Sequence, residues 1–119
     1  MYPVLLVLGS TAALGLWMGW NYLKGVRNSA MVAGIHLLLG VSGLEVLAIL
    51  LSGAPDGSRA ATSTLGPVAA VMLGGAMMTG LFVPIIAKPK PAAIGPTLLV
   101  HALVAATGMV ALVWWVVAA

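Results

Sequence analysis

The stretch Ala30–Ser52, AMVAGIHLLLGVSGLEVLAILLS, contains no Lys, Arg or Asp and a single Glu. Roughly 20 predominantly apolar residues suffice for a helix to cross the hydrocarbon of a bilayer, so this stretch predicts a transmembrane helix. Three more of the same kind surround it: Tyr2–Leu23, Leu65–Ala87 and Ile94–Val117, all without Lys, Arg, Asp or Glu. The chain has 119 residues, 62% of them hydrophobic and 6% charged. That is too little charge to clothe a soluble domain of this size. The expected fold class is all-α: an integral membrane four-helix bundle, one domain over residues 1–119.

The few charges report orientation. Lys24 and Arg27 lie between the first two spans, and Lys88 and Lys90 between the last two, whereas the middle connection has only Arg59 beside Asp56. Cytoplasmic loops are enriched in Lys and Arg. The connections at 24–29 and 88–93 are therefore expected in the cytoplasm and both termini outside, in a bacterial inner membrane. The first span lacks a basic segment before it, which reads as a retained helix rather than a cleaved signal peptide. The net charge of +3 sits at the membrane boundary, not in the basic stripe that nucleic acid requires. With no cysteine, disulfides, thiolate catalysis and Cys-ligated metals are excluded.

A two-helix hairpin is written twice, over about 1–53 and 66–118, with a period of 65 residues. Leu8-Gly9 aligns with Leu73-Gly74, and Gly15-Leu16-Trp17 with Gly80-Leu81-Phe82. Further on, His36 aligns with His101, Ser42 with Thr107 and Gly43 with Gly108. Each unit crosses the membrane twice, so the two copies are oriented alike. Two tandem hairpins related by a pseudo-two-fold axis along the membrane normal are expected. Asn28 or Ser29 is placed to cap the second helix, Pro96 suits the first turn of the fourth, and Pro84 should bend or end the third. Ala54–Ser58 reads as a turn. The glycine pairs Gly15/Gly19 and Gly40/Gly43 have the spacing of close helix packing.

Three ionisable groups fall inside the spans apart from tyrosines near their ends: His36, Glu45 and His101. Such groups are costly in hydrocarbon and point to function. At 1.5 Å per residue both histidines lie roughly 10 Å below the cytoplasmic ends of helices that run in the same direction, so the imidazoles can face each other at one depth. Gly40 and Gly43 follow His36 on its face, and Ala105 and Gly108 follow His101 on the other. An imidazole above a strip of small residues, presented twice, suits a flat macrocycle with iron held from both sides, as four-helix bundles build cofactor sites from facing core residues. Haem iron with His36 and His101 as axial ligands is the expected redox centre; the alternative is that each imidazole hydrogen-bonds a carbonyl or hydroxyl and only helps the helices associate. Two histidines alone make an incomplete zinc site. Glu45, nine residues after His36, turns away from that face toward another helix, a second subunit or a bound ligand. Its equivalent in the second unit is Val110, and proton uptake or a quinone site is its candidate role. Trp17, Trp20, Tyr22, Trp114 and Trp115 read as aromatic belts, and Met72, Met77 and Met78 as core packing.

The patterns His36-Leu37-Leu38-Leu39-Gly40-Val41-Ser42-Gly43 and His101-Ala102-Leu103-Val104-Ala105-Ala106-Thr107-Gly108 resemble small membrane-embedded b-type cytochromes. The likeness is to the four-helix haem-binding core of the cytochrome b561-like proteins. It implies haem b between His36 and His101 and electron transfer with quinol, ascorbate or a protein partner. That family usually has two histidine pairs and two haems, one near each face, whereas this chain has one pair. A partner would have to supply a second centre for electrons to cross the membrane. The expected function is a membrane b-type cytochrome or cytochrome subunit, a carrier more than an enzyme, served by a redox protein or the quinone pool. It would act as a homo-oligomer or within a larger membrane complex. The alternatives are a small oligomeric proton-coupled transporter or channel using Glu45, and a pigment-binding or structural subunit. The sequence shows no nucleophile–base motif, phosphate-binding loop or paired carboxylates, which argues against hydrolysis and phosphoryl transfer.

Overall fold

The computed structural model describes residues 2–53 and 64–118. Four helices run along them: α1 (Tyr2–Leu23), α2 (Ala30–Ser52), α3 (Leu65–Ile86) and α4 (Ile94–Val117), with a single 3₁₀ turn at Pro91–Ala93 leading into α4. Each is long and apolar enough to cross a membrane, and no strand occurs among the described residues. The expected limits hold except at the end of α3, where Ala87 is the cap rather than the last helical residue. Pro84 does not end α3; the helix continues through it to Ile86. The expected turn at Ala54–Ser58, with Asp56 and Arg59, lies outside the described residues.

Local chemistry sets the ends of α1 and α2. Gly25 adopts φ +72°. Its N–H donates to the Tyr22 carbonyl and the Val26 N–H to the Asn21 carbonyl, the paired bonds of a glycine-terminated helix. Ser29, not Asn28, caps α2, its Oγ accepting from the Val32 N–H at 3.2 Å. Asn28 instead accepts from the Asn21 amide at 3.0 Å and donates to the Met18 carbonyl at 2.9 Å, tying the connection back onto α1. Nothing lies within 4 Å of a Cβ placed on Gly25, so Gly25→Ala would be resisted by its backbone conformation alone. We expect that variant to lose about 1 kcal/mol of stability, measured by denaturation in detergent.

Contacting side chains show that neighbouring helices run antiparallel. Leu8 meets Gly43 and His36 meets Gly15 between α1 and α2; Leu73 meets Gly108 and His101 meets Gly80 between α3 and α4. Leu51 and Trp115 both close on Gly66 at the start of α3. The tightly packed layer comprises Val4, Leu8, Leu47, Ala69, Leu73, Ala111, Leu112 and Trp115. These residues stand at the start of α1 and α3 and the end of α2 and α4, so the core occupies one end of the bundle and the histidines lie toward the other. Trp115 corrects an expectation: it is no interfacial belt residue but 1% exposed, while its neighbour Trp114 is 66% exposed and fits a belt. Met78, expected in the core, faces outward at 53% exposure. The outer faces carry large apolar side chains such as Leu6, Leu38, Val71 and Leu99, a surface suited to lipid.

Candidate functional site

Helices α1 and α3 each hold the histidine of the helix that follows. His36 Nδ1 lies 3.1 Å from the Thr11 carbonyl oxygen, and His101 Nδ1 lies 2.7 Å from that of Ala76. A carbonyl oxygen only accepts, so Nδ1 is the donor in both rings, and a neutral imidazole then keeps its Nε2 lone pair free. Donation of the second ring nitrogen to a carbonyl is the usual support of a metal-bound histidine. Gly15 and Gly80 make room for the rings: a Cβ there would stand 2.9 Å from His36 Cε1 and 3.0 Å from His101 Cε1. The residues in each of these contacts recur 65 positions apart.

The two half-buried rings meet across the bundle with centroids 6.2 Å apart and planes at 71°. An imidazole nitrogen binds a first-row metal at about 2 Å, as it does zinc. With each ring centre about 1 Å further back, two imidazoles on opposite sides of one metal have centres about 6 Å apart. The observed centroid distance matches that spacing. Among the described residues no group of three or more His, Cys, Asp or Glu side chains could hold a metal, so further donors would have to come with the metal.

The strips of small residues differ from expectation. Gly43 does not border open space: Leu8 fills its place, and Leu73 fills that of Gly108. Those leucines sit level with Gly43 and Gly108, which are seven residues beyond the histidines and about 10 Å along the axis, and close each strip at its far end. Nearer the ring, a Cβ on Gly40 would meet only Thr11 Cγ2 at 3.7 Å. Ala105 is partly exposed one turn after His101. The room expected along two turns is thus confined to about one. Gly19, expected to pack, has nothing within 4 Å of a Cβ.

That each ring would bond a carbonyl was one of the two expectations from sequence, and both rings do so; the expectation did not name the residues that supply and accommodate those bonds. Gly15 and Gly80 were readable, since both belong to the repeated Gly-Leu-aromatic triplet. The Thr11 and Ala76 carbonyls were not, because backbone groups leave no mark in side-chain identity. The two supports also differ in detail. The Ala76 carbonyl accepts from Thr79 Oγ1 at 2.9 Å as well as from His101, and the residue equivalent to Thr79 is Leu14. A groove of about 450 Å³ opens between α3 and α4, with Thr79, Phe82, Thr97 and Val100 in its lining; His101 does not line it.

Glu45 is exposed and lies on the opposite side of α2 from Gly43 and Leu47, which are buried. It faces away from the chain's own helices and from both histidines. No family model matches this chain, and neither a curated protein nor a solved structure is significantly similar to it.

Proposed function

We propose that this chain is an integral membrane b-type cytochrome, or the cytochrome subunit of a larger redox complex, with haem b held between His36 and His101. The supporting observation is the pair of imidazoles, 6.2 Å apart, each steadied through Nδ1 by a carbonyl of its neighbouring helix. A macrocycle that brings its own nitrogen donors would suit a pair of histidines with no further His, Cys, Asp or Glu beside them among the described residues. Matching contacts at a 65-residue offset support two tandem hairpins related by an axis along the membrane normal. The lysines at 24, 88 and 90 favour a cytoplasmic position for the histidine end.

When bound, haem supplies a one-electron couple whose potential is set by ligation and burial. His36 and His101 would present Nε2 as axial donors. The Thr11 and Ala76 carbonyls hold the ring tautomers, and Gly15 and Gly80 leave room for the Cε1 edges of the rings against α1 and α3. The leucine layer at Leu8 and Leu73 keeps water from the far end. These groups bind and orient a carrier, and the electron donor or acceptor is a protein or the quinone pool. Glu45, on the outer surface, belongs neither to this site nor to a pathway through the interior of one chain, which weakens the transporter reading.

The test is the absorption spectrum of detergent-purified protein from haem-supplied cells, oxidised and then reduced with dithionite, with pigment extraction to identify the ring. A haem b spectrum supports the reading, and chlorophyll-type pigment would assign a different ring. A colourless protein would overturn it, leaving the two carbonyl bonds as clamps that join helices.

A further inference from the structure

Helices α2 and α4 offer an internal comparison, because their outward faces correspond at the 65-residue offset. On α4 that face is Leu103, Ala106, Val110 and Val113, apolar throughout and exposed, as a surface against lipid should be. On α2 the equivalents are Leu38, Val41, Glu45 and Ala48, likewise exposed. Polar residues within a membrane almost always face the bundle interior or a cavity. Glu45 faces neither, and among the described residues it has no hydrogen-bond or ionic partner.

A second polar group stands one turn from it. The in-span hydroxyls of Ser10, Thr11, Ser52, Thr79, Thr97 and Thr107 each bond back to the carbonyl four residues earlier. Ser42 makes no such bond among the described residues, although its equivalent Thr107 does. The exposed face of α2 thus carries an unused donor and an unused acceptor three residues apart, and the matching face of α4 carries none.

Leu38, Val41, Glu45, Ala48 and Ser52 follow one another at alternating steps of three and four, the seam spacing of paired left-handed helices. Small residues at Ala48 and Ser52 permit close approach of two backbones in lipid. A polar residue at one seam position fixes register and partner number. We propose that this face pairs with α2 of a second copy about a two-fold axis along the membrane normal, with the Ser42 hydroxyl and Glu45 carboxyl of each copy bonding across the seam. A two-fold interface places the same patch on both sides, and this patch brings both the donor and the acceptor. The inference rests on the membrane reading of the helices and is independent of the haem.

The chain has no cysteine, so single-cysteine variants give unambiguous cross-links in membranes. A disulfide needs Cα atoms within about 7 Å, so Ala48→Cys should form covalent dimer under mild oxidation about tenfold faster than Val113→Cys, its equivalent on α4. Val41→Cys provides a second seam position should Ala48→Cys fail to accumulate. In the Ala48→Cys background, Glu45→Leu should lower dimer yield about three- to tenfold, and Glu45→Gln, which both donates and accepts, should preserve it. Equal cross-linking on both helices, none at either seam position, or indifference to Glu45→Leu would overturn the proposal while the chain stays in alkali-washed membranes. Release of the chain by alkali would overturn the membrane reading, and the dimer with it.

Discussion

Replacing either His36 or His101 with alanine is expected to abolish the haem b spectrum, and valine at Gly15 or Gly80 should come close to doing so. Each histidine would supply one of two protein ligands, and among the described residues no further His, Cys, Asp or Glu joins them in a metal-holding group. The glycine variants act without touching a ligand atom. A Cβ at Gly15 would stand 2.9 Å from His36 Cε1, and one at Gly80 3.0 Å from His101 Cε1, so a branched side chain must push the ring off its carbonyl. Overpacking of this kind costs about 1–3 kcal/mol, and every 1.4 kcal/mol or so is tenfold in an equilibrium that needs the ring in place. Gly9 and Gly74 provide the comparison: they lie on the same two helices, and a Cβ on either meets nothing within 4 Å. Valine there should leave haem content unchanged. The measurement is haem per polypeptide after purification. Normal haem in Gly15→Val and Gly80→Val would mean the loaded protein holds its imidazoles elsewhere. Equal loss at all four glycines would point to general disruption of the helices.

The helices were legible because a membrane span is a one-dimensional signal: length and lack of charge decide it, and the predicted limits differ from the observed ones only at Ala87. The histidine pair was legible for a related reason, since axial rise alone put His36 and His101 at one depth. What was not legible depended on neighbours in space. Trp114 and Trp115 are adjacent in sequence and equally apolar, yet one faces outward and the other is buried, because successive helical residues are turned about 100° apart. The glycine strips misled in the same way. Lack of a side chain on α2 and α4 says nothing about what α1 and α3 insert, and Leu8 and Leu73 fill the ends of both strips. Ser42 and Thr107 look alike in the repeat, and only their hydrogen bonds separate them.

Trp115→Ala should be the most damaging substitution away from the histidines. Trp115 is the largest fully buried side chain of the bundle, wedged against Gly66, where a Cβ would stand 2.8 Å from indole Cε2. Truncating a buried tryptophan to alanine costs about 3–5 kcal/mol in cores that cannot collapse around the gap. On the proposed membrane reading the loss is one of close packing, because in lipid helices associate through contacts and not through exclusion of water. The comparison variant is Trp115→Phe. Trp115 Nε1 is buried with no hydrogen-bond partner among the described residues, so removing that donor leaves nothing unpaired. Phenylalanine retains much of the ring volume and should cost well under half as much as alanine. Thermal unfolding in detergent, followed by helical signal, distinguishes the two. Alanine and phenylalanine variants of equal stability would show that the tight end of the bundle does not depend on this side chain. A large loss in both would show that the indole nitrogen has a partner. With the expected order, the packed end is what holds α1 to α4 together, and the histidine end is free to be shaped by what it binds.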